Sequence, residues 1–573
     1  MVIQHTTRPL VAASLAAGLA AALTAPVGAA APAADRDDVP LARVADVRPG
    51  PAGSDPSRIT AHAGGVYLVA DDGAHGPRVW RSDGTAAGTT LVSAAAAVTT
   101  ASELAVVGST LFFTAGDQLW RSDGTEAGTQ LVRDLGTTDI PLTQLTVAGN
   151  LVWFLGDDGA SGQELWRSDG TAAGTMRLTI RPPGADAKPL DNLTAVGSSL
   201  WFTGSDGTDI VSEVWRSDGT PAGTAPLTKF RTFFDTYPGL LTPAGNHVYF
   251  VLGGGSEGRD VFRIATGGTT AELVLGDESA YVHELQADGD RIYVSSYNAA
   301  SRRSELWLSD GTPAGSQRLA ELPAEAGDYP SDHAQDLTMV DGTLFFTHVD
   351  ADHGPELWRS DGAVAGTRRL TDLPTRLLRT RPAELTASDG RLWFVADEGR
   401  GPELWVSDGT TRGTHPVDDT RRGRAGSVPT GLTDVGGTLF MGLDDGAAGR
   451  ELWATQVDTA IARPRVRAPK GQRIGRGAWS VRVRAGAGEW VESTARGRVR
   501  LPGVRTSVVL RTARTTSYAG RTEVLRLAIP QKARRAVARA TGNSRTKAVA
   551  KLVVTMLDSS GNAKKVVRTI RLS

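Results

Sequence analysis

A segment of the form Glu-Leu-Trp-x-Ser-Asp-Gly-Thr-x-x-Gly-Thr returns along most of this chain, and it constrains the fold more than any other feature. Clear copies are Glu164-Leu165-Trp166-Arg167-Ser168-Asp169-Gly170-Thr171, Glu356-Leu357-Trp358-Arg359-Ser360-Asp361-Gly362 and Glu403-Leu404-Trp405-Val406-Ser407-Asp408-Gly409-Thr410. The landmark aromatics Trp80, Trp120, Trp166, Trp215, Phe262, Trp307, Trp358, Trp405 and Trp453 lie 40, 46, 49, 47, 45, 51, 47 and 48 residues apart. Spacing this regular means one supersecondary unit copied about nine times. The fifth copy is degenerate, with Ile264-Ala265-Thr266-Gly267 where Ser-Asp-Gly-Thr is expected.

Each unit reads as four short strands. A first strand such as Leu145-Thr146-Val147 ends at a Gly149-Asn150 turn, and Leu151-Val152-Trp153-Phe154-Leu155 follows as the second. An acidic loop, Asp157-Asp158-Gly159-Ala160-Ser161-Gly162, leads to the Glu-Leu-Trp-Arg strand. Asp-Gly between apolar runs is a hairpin signal, because both residues tolerate positive φ. It turns the chain into a fourth strand, as over Thr367-Arg368-Arg369-Leu370-Thr371-Asp372-Leu373. The second strand is apolar at successive positions, so both its faces must be covered. Radially packed blades do this, and the expected fold is an all-β propeller of about nine four-stranded blades, with eight as the fallback and a solenoid as the runner-up. The ninth unit has Glu451-Leu452-Trp453 but no fourth strand after it. Arg43-Val44-Ala45-Asp46-Val47 matches the fourth-strand pattern, so an N-terminal strand is expected to complete the last blade and remove a free edge.

These repeats resemble those of the bacterial ELWxxDGT repeat proteins, over roughly residues 41 to 457. The resemblance implies a secreted propeller-type repeat fold and no shared activity. The pattern then changes. Val481-Arg482-Val483-Arg484 alternates apolar and basic residues as a half-exposed strand does, residues 531–540 read as one short basic helix after Pro530, and strands on either side of Ser559-Ser560-Gly561-Asn562 form a terminal hairpin. By pattern and composition this part resembles the small basic immunoglobulin-like domains that end many exported actinobacterial proteins, and a small β-sandwich with one helix is expected. The division is therefore an export signal over 1–34, the propeller over 35–457, a linker over 458–465 and the basic domain over 466–573.

The export signal rests on Arg8, an uncharged Ala- and Leu-rich run over 10–23, and small residues with candidate cleavage sites at Val27-Gly28-Ala29 and Ala31-Pro32-Ala33. No later segment is apolar enough to span a bilayer, so a secreted or envelope-associated protein is expected. The chain has 0 cysteines, which excludes disulfides, thiolate zinc sites and a cysteine nucleophile. Its net charge of −1 conceals an asymmetry: 27 Lys and Arg stand against 4 Asp and Glu from residue 462 onward, leaving 35 against 59 before it. Two domains with different electrostatic partners follow.

The Asp of each Ser-Asp-Gly-Thr turn (Asp83, Asp123, Asp169, Asp218, Asp310, Asp361 and Asp408) is read as a turn residue, since a residue repeated in almost every blade serves the blade. The acidic loops are the candidate metal positions. Asp71 and Asp72, Asp157 and Asp158, Asp350 and Asp352, and Asp444 and Asp445 place clustered carboxylates on glycine-bent turns, and calcium takes six to eight oxygens. None has the EF-hand pattern, and solvated hairpin tips are the alternative. His348, Asp350, Asp352 and His353 form a second, weaker metal candidate on alternating positions. No HExxH or GxxxxGK[ST] motif is present, and no catalytic residue is singled out. The expected function is a non-catalytic binding or adhesion scaffold. Its propeller would recognise an unidentified protein or glycan, and its basic tail would contact anionic cell-wall polymers. A specific nucleic-acid partner is not expected. The alternatives are a structural matrix or envelope protein, and a secreted glycan-active hydrolase or lyase working through carboxylates from distant blades.

Overall fold

The computed structural model describes residues 41–573 except 94–100, 137–139, 161, 180–188, 208–210, 231–236, 254–259, 277–278, 323–332, 351, 374–380, 418–419, 422–424, 456–464, 470, 475–478, 487–490, 503, 505, 518–521, 542–547 and 558–562. The export signal over 1–34, nearly all of the linker over 458–465 and the Ser559–Asn562 turn lie outside these residues. The chain divides into two compact units, one carrying Arg43–Ala454 and the other Thr455–Ser573.

The first unit contains nine four-stranded antiparallel sheets. Eight follow chain order, over residues 57–91, 101–134, 143–177, 191–226, 237–275, 280–322, 335–369 and 383–416. The ninth takes three strands from residues 430–455, and its fourth is the N-terminal strand Leu41–Arg43, paired with Arg450–Thr455. First strands of consecutive sheets pack side by side, and that of the ninth packs against that of the first. The ring is closed, and the fold is a nine-bladed β-propeller.

The core lies between blades. Phe112, Leu119 and Val132 of blade 2 pack with Val152, Phe154 and Trp166 of blade 3, and equivalent clusters join blades 3 and 4, 4 and 5, 5 and 6, 6 and 7, and 7 and 8. Across the closure, Val44, Leu452 and Phe440 meet Val66 and Leu68. The motif tryptophan stacks on a second-strand Phe, as in Phe154–Trp166 and Phe346–Trp358. Its indole N–H commonly donates to the backbone, from Trp166 to Gly156 O at 3.2 Å and from Trp215 to Gly204 O at 2.9 Å.

The rest of the motif forms a self-contained turn. In blade 3 the Asp169 carboxylate accepts the Thr171 N–H and hydroxyl, both at 2.8 Å. Ser168 Oγ accepts the Gly170 N–H at 3.0 Å and bonds Thr175, while the Gly174 N–H donates to Thr171 Oγ1 at 2.9 Å. Gly170 sits at φ +90°, and a Cβ on Gly174 would lie 2.1 Å from the Asp169 carboxylate, so both positions exclude a side chain. The same bonds recur around Asp83, Asp123, Asp218, Asp310 and Asp408. Thr hydroxyl and N–H donors hold the carboxyls of Asp83, Asp123, Asp218 and Asp310 below the usual range. The degenerate fifth copy still builds a full sheet, because Gly268 N–H closes a tight turn on Ala265 O at 2.8 Å.

The motif glutamate is buried and shapes the fourth strand. Glu356 accepts the Thr371 hydroxyl and, at 2.7 Å, the Leu373 N–H. Glu213 does the same with Thr228 and Phe230, and Glu164 with Thr179. These bonds draw the chain off the ladder, so the fourth strand expected over residues 367–373 is only Arg368–Arg369, with one further bond from Leu370 N–H to Leu357 O. Where the position is Gln118 or Asp260, or where Glu305 turns to Arg318, the fourth strand runs its full course over Gln130–Asp134, Ala271–Leu275 and Gln317–Leu322. Blade 1, with Arg78 at this position, also has a short fourth strand, Thr90–Leu91, which nothing in the structure explains.

In the second unit a three-stranded sheet and a larger sheet cover one core that includes Val481, Val483, Leu525, Leu552, Val554 and Ile570. One short helix, Arg534–Thr541, packs Val537 onto it. No helix among the described residues is long and apolar enough to cross a membrane.

Burial pushes Glu356 up to about 7, with its hydrogen bonds to Thr371 and Leu373 offsetting only part of the rise. Between the ordinary glutamate value and about 7 the folded protein binds a proton that the unfolded chain releases, so stability falls as pH rises through that window, by roughly 3 kcal/mol in all. Glu356→Gln is expected to flatten the fall in melting temperature between pH 4.5 and pH 8, as followed by calorimetry.

Candidate functional site

The acidic loops and the starts of the first strands share one face of the ring, because the loops join second strands to third and adjacent strands are antiparallel. The loop carboxylates are turned to their own backbone and to nearby cations. Asp71 accepts the Gly73 N–H at 2.7 Å and pairs with Arg48 at 3.0 Å. Asp72 takes the N–H groups of Ala74 and His75 and the His75 ring. Desolvation works against its charge, but the bonds from His75 and Ala74 outweigh it and hold the carboxyl at about 2. Asp157 accepts from Gly159 at 2.8 Å, and Asp158 pairs with Arg177 at 3.0 Å. Asp444 accepts from Gly446 and pairs with Arg421, and Asp445 accepts from Ala447 and Ala448.

Asp350 ends a second strand opposite Gly354, and Asp352 is exposed in the turn between them. His348 is fully buried against Trp358, opposite Glu356 in register. Among the described residues no group of three or more His, Asp or Glu side chains is arranged to hold a metal.

The first strands carry a different and more informative arrangement. Each is an edge strand of its sheet, with a break in register near its start. Aligned by the second-strand aromatic each blade pairs with, the same position holds Arg58, Glu103, Gln144, Asn192, Leu240, Glu284, Asp336, Glu384 and Gly431. An apolar residue follows, and then Thr60, Thr146, Thr194, Thr242, Thr338, Thr386 or Thr433 in seven blades, with Ala105 and Gln286 in the other two.

In those seven blades the position is left-handed, at φ between 54° and 65°, and six of the seven residues are not glycine. The threonine hydroxyl donates to the carbonyl of that residue each time, as from Thr146 to Gln144 O at 2.9 Å. Glu103 and Glu284, in the two blades without threonine, are not left-handed. The correspondence ties the conformation to the hydroxyl. A left-handed non-glycine residue costs on the order of 1–2 kcal/mol, and such strain gathers at functional sites.

At four of these bulges the edge N–H groups of the next blade are bonded by the residue at this position. Glu103 of blade 2 accepts the N–H groups of Gln144 and Leu145 in blade 3, at 3.0 and 2.5 Å. Gln144 accepts that of Leu193, Glu284 that of Leu337 at 2.9 Å, and Glu384 those of Gly431 and Leu432. Burial raises Glu284 above the usual carboxylate range, opposed by its bond from Leu337.

Blades 6 to 8 add a further cluster. The rings of His283 and His333 stack with centroids 3.8 Å apart, Gln335 Nε2 lies 3.0 Å from His333 Nε2, and Arg381 donates to Gln335 Oε1. Sequence reading placed the first strands but gave their residues no part. The available signal was the apolar-Thr pair recurring at Ile59-Thr60, Leu145-Thr146, Leu193-Thr194, Leu241-Thr242, Leu337-Thr338, Leu385-Thr386 and Leu432-Thr433.

Compared with known proteins, the chain matches no family model and no curated protein. Among solved structures it is similar to a prolyl endopeptidase at 15% identity and a TM-score of 0.38, over 68% of this chain and 54% of that one. It is similar to the β-propeller domain of the Trilobed protease from Pyrococcus furiosus at 14% identity and a TM-score of 0.32, over 56% of this chain and 98% of that domain. A puromycin hydrolase matches at 15% identity and a TM-score of 0.36, over 72% of this chain and 61% of its own. The chain thus spans about half the length of the prolyl endopeptidase it matches.

Removing the Glu103 carboxylate leaves two backbone N–H groups at the blade 2–blade 3 junction without their acceptor. Glu103→Ala is expected to lower unfolding free energy by about 1–3 kcal/mol in denaturant titrations. Amide exchange should quicken first at Gln144 and Leu145.

Proposed function

We propose that this chain is an exported, non-catalytic binding scaffold of the ELWxxDGT-repeat type. The ring of first strands, packed side by side around its propeller, is the recognition surface, and its second unit, an immunoglobulin-like domain by pattern, contacts anionic cell-surface polymers. The observation that carries this reading is the ring of unlike residues held at one strained position. Arg58, Gln144, Asn192, Leu240, Asp336 and Glu384 occupy a left-handed site that glycine, as at Gly431, fills without strain. The repeated Ser-Asp-Gly-Thr residues are consumed by bonds inside their own turn, whereas this position differs from blade to blade. A common scaffold presenting different side chains at equivalent points is how repeat proteins build recognition surfaces. The imidazole, amide and guanidinium groups of His333, Gln335 and Arg381 beside Glu284 and Asp336 suit a polyhydroxylated or peptide ligand with several donors and acceptors.

The test is a glycan and protein-fragment array probed with the parent chain and with Arg381→Ala and Asp336→Ala. A retained ligand whose binding drops on the order of tenfold in either variant, the loss of one charged hydrogen bond, is the expected result. Retention unaffected by both variants would move recognition away from this sector. Nothing above background on the array would count against a binding scaffold.

A further inference from the structure

We infer that the solvent face of the larger sheet in the second unit binds a linear phosphodiester polymer whose charges repeat every six backbone bonds, of the poly(glycerol phosphate) kind. This rests on the reading of that unit as the part contacting anionic polymers, and it assigns the contact to one face.

The face follows from strand register. Val491–Arg500, Ala548–Leu557 and Ala563–Leu572 pair antiparallel, and alternate residues point into the core, among them Ala495, Val499, Ala550, Leu552, Val554 and Ile570. The intervening positions face outward. They carry Arg496, Arg498 and Arg500 on the first of these strands and Lys551 on the second, all exposed. Lys565 and Arg571 extend the face on the third strand. Arg514 extends it on the flanking strand, opposite Thr494. The only acidic residue on the three long strands is Glu492, near their far end and opposite Leu557. Among the described residues none of these cations is in an ion pair.

Arg498 and Lys551 stand directly opposite each other in the ladder. Like charges at opposed positions destabilise a sheet, so the free protein carries a repulsion that a bound anion relieves. Four of these seven outward cations lie in two consecutive rows, Arg498 with Lys551 and Arg500 with Arg571 across Val549. Arginine predominates, and its fork matches two oxygens of one phosphate.

The spacing selects the ligand. Outward residues along a strand recur every second residue, roughly 7 Å apart. Two residues contain six backbone bonds, as does a glycerol phosphate repeat, so an extended polymer lying along Arg496, Arg498 and Arg500 meets one guanidinium per phosphate, at roughly 7 Å steps. Single-stranded nucleic acid has the same repeat but is held through base stacking on aromatic rings. The outward positions of these strands hold Thr, Arg, Lys, Val, Glu, Leu and Ala, with Val567 exposed at 49% and Val509 of the neighbouring strand at 57%, and no aromatic ring.

The experiment titrates the full chain with poly(glycerol phosphate) at several salt concentrations and compares two variants of equal charge. Arg498→Glu with Lys551→Glu reverses the face, and Arg535→Glu with Arg539→Glu reverses two exposed positions on the helix Arg534–Thr541. Salt-dependent binding that falls on the order of tenfold or more in the face variant and changes little in the helix variant is expected. Equal losses overturn the face while leaving the broader contact with anionic polymers standing. No binding by the parent chain overturns both. Tighter binding to a single-stranded DNA oligomer, or to phosphatidylglycerol vesicles, than to the polymer overturns the choice of ligand. The single variant Lys551→Glu, which places an acid opposite Arg498, keeps the comparison interpretable: it should melt no lower than the parent yet bind more weakly, and unchanged binding would overturn the assignment.

Discussion

Each four-stranded sheet of the first unit has two apolar faces and cannot cover either by itself. Phe154 and Trp166 illustrate the problem, since they stack on one face of blade 3 and are buried only because Phe112 and Leu119 of blade 2 lie against them. Trp153, one residue away and on the opposite face, is buried against blade 4. A structure made of such units has no stable end, and closing the ring removes both ends. Closure depends on Glu451, which accepts the Val47 and Arg48 N–H groups and the Ser54 hydroxyl from the start of the chain. The motif glutamate that ends the fourth strand in other blades holds the N-terminal segment in this one.

Two kinds of repetition divide the labour. The Ser-Asp-Gly-Thr turn is locally satisfied: its donors and acceptors find one another within eight residues in blade 3, from Ser168 to Thr175. It needs no neighbour, which explains why the copies vary so little. The first strands also bond across blades, through Glu103, Gln144, Glu284 and Glu384. A residue there must suit the next blade as well as its own, and the sequence diverges accordingly. Strain, cross-blade bonding and side-chain diversity therefore fall in the same place.

The second unit works on a different principle. Its core is apolar and continuous, and the charge that dominates its composition sits on the outward positions of long strands. Because alternate residues of a strand share a face, a run such as Ala495-Arg496-Gly497-Arg498-Val499-Arg500 sorts itself into a core side and a cationic side once its pairing is set.

The period of the repeat, its four-strand unit and the return of the N-terminal strand were all legible in the sequence, because turn chemistry and apolar periodicity are local and the fourth-strand pattern at Arg43–Val47 is explicit. So was the structural role of the motif aspartates, whose partners lie two residues away. The tertiary structure alone decided that the number of blades is nine, since closure depends on which first strands touch. It alone showed that Glu356 cuts the fourth strand short and that His348 is buried away from the acidic loop beside it. It also decided the ring of first strands. Glu103 and Gln144 are 41 residues apart and meet only when consecutive blades are packed, and a left-handed Gln or Asn held by a threonine hydroxyl leaves no local signature beyond the apolar-Thr pair. Local bonds are written in adjacent residues, whereas bonds between blades exist only once the ring is closed.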